Sequence, residues 1–256
     1  MKKIFSFFLN RIPRQWLIRI SFWVAPLLAW WYRGKNYIDP IDGRQYRRLM
    51  PYGYEGRQRE NALAPGSLSL ERHRLLWLYL QRDTNFFEEA LNMLHVAPEQ
   101  CFLKRFKQMP NLVYTTADLD SPIADVQMDI HDIPFTQNTF DVILCNHVLE
   151  HVQDDKQCMR ELYRVLKPGG FAIMQVPFAP GQEKTIEDPE EKDPEVRKKR
   201  FGQYDHVRLY GSDYPDRLRE AGFTVEIVDF QEKLSPQDYQ KYALPKGELL
   251  YVGRKE

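Results

Sequence analysis

The chain has 256 residues, 43% of them apolar and 28% charged, which is enough to bury a sizeable core in one main domain with an appendage. Its 36 Lys and Arg balance 36 Asp and Glu, so no basic field marks it as a specific nucleic-acid binder. Cys101, Cys145 and Cys158 are widely spaced in apolar or helical surroundings, which speaks against a disulfide framework and for a reducing compartment, the cytoplasm.

Residues 1–35 form a separate zone. They carry Lys2, Lys3, Arg11, Arg14, Arg19, Arg33 and Lys35 without one acid, and Trp16, Trp23, Trp30 and Trp31 among their aromatics. The apolar run from Trp16 to Tyr32 is interrupted by Arg19 and Pro26 and sits at the lower limit of about 17 residues for a spanning helix. It also comes late and lacks a small-residue cleavage site, which disfavours a signal peptide. A basic amphipathic helical arm remains. Two surroundings suit it: the headgroup region of an anionic membrane, peripherally on the inner face of the cell membrane, or a docked position on protein.

Residues 36–68 are rich in Gly, Pro, Arg and Tyr and read as a small irregular module. A helix is expected from Ser69, with Ser69 as its cap, Glu71 in the first turn and Leu75, Leu76, Leu78 and Leu80 on an apolar face. From about residue 89 the pattern changes to short apolar runs alternating with helical stretches. Strands are expected at 91–97, 112–117, 125–129, 140–145, 170–176, 223–230 and 248–253. The helices between them include 98–108, opened by Pro98, 154–166, closed by Lys167-Pro168-Gly169-Gly170, and 212–221. The fold class is therefore α/β: a Rossmann-like, doubly wound, mostly parallel seven-stranded sheet over residues 69–256, preceded by the arm and the irregular module.

The most specific stretch runs from Asp129 to Phe178. It has an acid at a strand end, the turn Ile133-Pro134-Phe135, the strand Phe140-Asp141-Val142-Ile143-Leu144, a helix ending in Leu166-Lys167-Pro168-Gly169-Gly170, and another strand. This order resembles class I S-adenosylmethionine-dependent methyltransferases of the small-molecule type, over roughly residues 89–256. The resemblance implies that Asp118, with Asp120 as its near rival, accepts hydrogen bonds from the cofactor ribose. It also implies that Asp129 and the Ile130 backbone face the adenine amine. In the family the first strand ends in an acid and a glycine-rich turn, whereas this chain reads His95-Val96-Ala97-Pro98-Glu99. Ala97 then replaces the first glycine, and as the smallest substitute it can still let the cofactor come close if φ stays negative. His95 is expected at the methionyl carboxylate or a loop backbone, and Glu99, in the first helical turn, at the ammonium. After the fourth strand, Asn146 adjoins the cofactor, and His147 and His151 are candidates for a base or an acceptor-orienting group. His206, beside Tyr204, Asp205 and Arg208, is the candidate acceptor contact.

The stretch around Asp39-Pro40-Ile41-Asp42-Gly43 and Ala64-Pro65-Gly66-Ser67 resembles a zinc ribbon that precedes the helix in relatives of this group. Here Asp39, Asp42, Ala64 and Ser67 stand where that ribbon needs cysteines, a poor donor set for zinc. No metal is expected, and Tyr52, Tyr54 and Arg57 are expected to pack the module instead. The functional expectation is an S-adenosylmethionine-dependent methyltransferase with a small-molecule or lipid-linked acceptor. The alternative is a binding or scaffold protein that keeps the fold without turnover.

Overall fold

The structure, a computed structural model, describes residues 14–53, 58–121, 124–179 and 181–256, with only the backbone for residues 14–22. Two compact units emerge: Met1–Thr84 with Phe230–Glu248, and Asn85–Asp229 with Leu249–Glu256.

Among the described residues, the first element of the first unit is helix α1 (Arg14–Trp31). Two antiparallel pairs follow, β1 (Arg33–Ile38) with β2 (Gln45–Tyr46), and β3 (Met50–Tyr52) with β4 (Arg59–Leu63). Two turns in this unit are built alike. In one, the Gly43 N–H donates to the Asp39 carbonyl at 2.9 Å; in the other, the Leu68 N–H donates to the Ala64 carbonyl at 3.0 Å. Each closes on a left-handed residue, Gly43 at φ +69° and Leu68 at φ +62°, and each has proline in second place. The Ser67 hydroxyl donates to Asp39 Oδ2, joining the turns, and the Tyr46 hydroxyl donates to Asp42 Oδ2 at 2.9 Å. The small core here is Ala29, Tyr46, Leu49 and Ala64. The expected packing by Tyr52 is not found, since that side chain is exposed at the end of a short edge strand; Tyr54 and Arg57 lie outside the described residues.

Helix α2 (Glu71–Arg82) is capped at Leu70, not Ser69: the Leu70 N–H donates to His73 Nδ1 at 3.0 Å. The Ser69 carbonyl is engaged elsewhere, accepting from the Ala64 N–H and from Arg74. Arg74 is fully buried and donates to four carbonyls, those of Ala62, Ser69, Tyr242 and Ala243. This clamp, with the Lys233–Asp83 ion pair at 2.9 Å, ties residues 230–248 to α2. Both α2 and the 230–248 excursion, which the sequence reading places with residues 69–256, fall in the first compact unit.

The second unit is built on β5 (Leu91–Val96), β6 (Leu112–Asp118), β7 (Val126–Gln127), β8 (Phe140–Cys145), β9 (Leu166–Ile173), a separate pair β10 (Ile186–Glu187) and β11 (Arg208–Leu209), then β12 (Thr224–Val228) and β13 (Leu250–Arg254). The seven-stranded sheet has the order β12-β13-β9-β8-β5-β6-β7, with β13 antiparallel to both neighbours and the other pairings parallel. Helices α3 (Gln100–Phe106), α4 (Asp155–Val165), α5 (Pro194–Phe201) and α6 (Tyr214–Glu220) complete it. Met93 and Leu94 on β5, and Val142, Ile143 and Leu144 on β8, have no solvent exposure, as expected of central parallel strands covered on both faces. Strand order reverses between β5 and β8, so a crevice opens beyond their carboxyl ends, where ligands of such sheets bind.

Two local expectations are corrected. Residues Lys167–Gly170, read as a closing turn, open β9 instead, with a register shift between the Phe140 and Val142 pairings. The reason is that Gly169, at φ +80°, donates its N–H to Lys255 and so stays in the sheet. Helix α3 starts at Gln100 rather than residue 98, leaving Glu99 as its extended N-cap residue.

Candidate active site

The crevice floor is set by the end of β5. Ala97 takes φ +48°, the left-handed conformation that a glycine would adopt without cost, while its N–H keeps a 2.8 Å bond to Ala117. The negative φ set as the condition for close approach at an alanine is therefore not met. His95 is wholly buried, and both ring nitrogens are engaged, Nδ1 with the Tyr114 hydroxyl at 2.8 Å and Nε2 with Glu99 Oε2. It cannot reach a ligand carboxylate and instead positions Glu99. Glu99 Oε1 in turn accepts from Asn146 Nδ2 at 3.2 Å. Asn146 is oriented by the Gln175 N–H, which donates to its Oδ1 at 3.1 Å. The Glu99 carboxylate thus spans from the end of β5 to the end of β8, across the switch point.

Asp118 ends β6, and its Oδ1 accepts the N–H groups of Asp120 and Ser121 at 2.9 and 2.8 Å. Its rival Asp120 is an exposed member of that turn. Asp129 follows β7. Its Oδ1 accepts from the His131 backbone at 2.9 Å and from His131 Nδ1 at 2.6 Å, which holds the carboxyl below its ordinary range. The Asp154 N–H donates to His131 Nε2 at 3.1 Å, so Nδ1 is the protonated nitrogen. Ile130 is buried and anchors this corner in the core. His131 went unnoticed in the sequence; its spacing of two from Asp129 was the available signal.

A second group of side chains gathers where Asn146–His151 runs beside residues 205–210. The Val207 N–H donates to the Glu150 carbonyl at 2.9 Å, and the fully buried Arg208 donates to the carbonyls of Leu149, Val152 and Gln153. These bonds bring His206 edge-on to His151, with ring centroids 4.8 Å apart. His147 sits at φ +55°, with Nδ1 3.4 Å from Glu150 Oε1. Burial pushes the His206 imidazole below its ordinary value, with Glu150 opposing and His151 adding to the shift. Glu150 was the one member not singled out in the sequence, although its spacing of three and one from His147 and His151 places all three on one turn. Tyr204 points outward, 61% exposed, and takes no part.

The crevice carries carboxylates at the ends of β5, β6 and β7 and, among the described residues, no cradle of glycine amides. That donor set suits a ligand with hydroxyl, amine and cationic groups and no phosphate. It fits S-adenosylmethionine.

Residues 87–174, which hold β5 to β9, the strand-end carboxylates and the Asn146–His151 side of the second group but not His206 or Arg208, match the methyltransferase domain family. The match covers about a third of the chain and makes this segment similar to a methyltransferase domain. Among curated proteins, a ubiquinone/menaquinone biosynthesis C-methyltransferase of Idiomarina loihiensis is 49% identical over 49 residues, 19% of this chain and 20% of its own length. An uncharacterized methyltransferase of Schizosaccharomyces pombe is 48% identical over 42 residues, 16% of this chain and 15% of its own. The chain thus spans about a fifth of the length of the curated relatives it matches. Among solved structures, an S-adenosylmethionine-dependent methyltransferase from Mesorhizobium loti is similar at 16% identity, with a TM-score of 0.46, over 70% of this chain and 97% of that one.

Proposed function

We propose that the protein transfers a methyl group from S-adenosylmethionine to a small-molecule acceptor. The observation that carries this reading is the pair Asp118 and Asp129 at successive strand ends, to one side of a turn that keeps a glycine-like conformation at Ala97. The bound cofactor supplies an electrophilic methyl carbon on a sulfonium. The chain's own task is to align an acceptor with it and to remove a proton where the acceptor carries one. Supporting His147 as that base, its Nδ1 faces Glu150 while its buried Nε2 has no hydrogen-bond partner among the described residues. A carboxylate-oriented imidazole is the arrangement such a base requires. The inactive-scaffold alternative rested on a turn without glycine and a ribbon without cysteines, and the first of these weakens once alanine adopts the left-handed conformation.

The acceptor in this proposal is apolar and presented at an anionic membrane surface in the cytoplasm. Supporting it, α1 leaves Trp23, Leu27, Trp30 and Trp31 exposed. A cleft of about 660 Å³ at its end is lined by Trp30 and Pro26 and by the basic Arg33, Lys35 and Arg44. No helix among the described residues is long and apolar enough to cross a membrane.

Calorimetric titration with S-adenosylhomocysteine tests the cofactor reading. The full chain should bind it, and Asp118→Ala should weaken binding about tenfold or more, the worth of one charge-assisted hydrogen bond. Absence of heat at millimolar ligand would overturn the proposal.

A further inference from the structure

We infer that Glu150, His151 and His206 form a binding site for a first-row divalent cation at the acceptor side of the crevice. One ligand atom from each lies within 4.8 Å of the others, a spacing that one ion at its usual bond lengths of about 2.0–2.2 Å can span with small rotations. Two independent features point the same way. Glu150 is 1% exposed, yet its Oε2 has no hydrogen-bond partner among the described residues; an unpaired carboxylate oxygen removed from water is costly, and a cation is the partner that would offset it. The imidazoles are also held in the tautomer a metal needs. His151 Nδ1 faces the Asp205 carbonyl at 3.2 Å and Asp205 Oδ2 at 3.6 Å. His206 Nδ1 faces the Phe201 carbonyl at 3.3 Å. Donation from both Nδ1–H groups leaves both Nε2 lone pairs for an ion, with carbonyl and carboxylate orienting the rings as they do around bound metals.

Two neutral imidazoles and one carboxylate suit zinc, iron(II), cobalt(II) or manganese(II) better than magnesium or calcium, which prefer oxygen donors. Three protein ligands leave positions for water or another oxygen ligand. The turn that supplies Glu150 and His151 is stapled to the His206 segment by Arg208, so the donors are fixed before any ion arrives. Site formation therefore requires only small side-chain rotations.

The experiment is titration of the chelator-treated full chain with cobalt(II), followed by its visible absorption bands and by equilibrium dialysis. One ion per chain should bind, with bands of low-symmetry nitrogen and oxygen coordination. Glu150→Gln and His151→Asn should each weaken binding more than about tenfold. The second lies on an exposed side chain and keeps the test valid if the first perturbs folding. Absence of a stoichiometric ion, or retention of full affinity in His151→Asn, would overturn the assignment. Neither readout depends on cofactor binding or turnover, so it stands or falls separately from the methyltransferase reading.

Discussion

A left-handed alanine costs about 1–2 kcal/mol relative to a residue without a Cβ, so the φ of +48° at Ala97 is held by its surroundings. The Ala97 N–H stays bonded to Ala117, and Glu99, two residues on, is gripped by His95 and Asn146. Replacing Ala97 by glycine removes the strain but adds unfolded-state entropy, for a net stabilisation of about 1 kcal/mol or less. Ala97→Gly should therefore raise the melting temperature by about 2–4 °C at most while leaving S-adenosylhomocysteine affinity intact. A lower melting temperature would show that the alanine methyl packs favourably enough to outweigh its backbone. Much of this site was legible in the sequence, because acids at strand ends and polar residues after a buried strand are visible as residue types. The roles inside it were less so. His95 reads as a ligand by position, yet its burial and its two partners, Tyr114 and Glu99, are set by neighbouring strands that no local pattern reveals.

At the scale of elements, apolar runs identified the buried strands because central parallel strands need nothing polar on either face. Every expected strand has a counterpart, whereas Lys167–Gly170 was misread because Pro and Gly mark both helix ends and bulged strand starts. The paired turns of the first unit show the same limit. Their prolines and spacing were readable, but not the hydrogen bond that joins them. Asp39 is fully buried there, and its carboxyl is pushed up to about 6, first by burial and then by the neighbouring Asp42. With the folded value above the unfolded one of 3.8, the protonated form favours folding. That contribution is complete below the unfolded value, is lost as pH rises towards about 6, and stays lost above it. Asn in its place is neutral at every pH and can still accept from the Ile41 N–H, which donates to Asp39 Oδ1 at 3.0 Å. Asp39→Asn should be more stable than the parent by about 1 kcal/mol at pH 7, and the difference should vanish near pH 4. Denaturant unfolding at the two pH values measures it; a constant difference would place the titration elsewhere.

For the molecule as a whole, the open matter in the sequence was whether the N-terminal arm meets protein or membrane. The described half of α1 does not divide into a polar and an apolar side. Ala25 and Ala29 are buried, Ala29 against Tyr46, Leu49 and Ala64. The larger residues Trp23, Leu27 and Trp30, spaced four and three apart, are 82%, 70% and 72% exposed on one stripe. Small residues thus serve the docked side and large ones are left to the solvent, an inversion that a periodicity argument cannot read because both sides count as apolar. Binding at an interface would bury that stripe, each side chain contributing about 2 kcal/mol when fully covered, with Arg33, Lys35 and Arg44 near the anionic headgroups. Replacing Trp23, Leu27 and Trp30 by serine should leave the melting temperature within about 1 °C, since none is buried. The same variant should lose co-sedimentation with vesicles containing phosphatidylserine, where the parent chain binds in a salt-sensitive manner. Equal sedimentation of parent and variant would exclude the stripe as the lipid contact, because a membrane docked through it depends on those three side chains while contact within the first unit depends on Ala25 and Ala29.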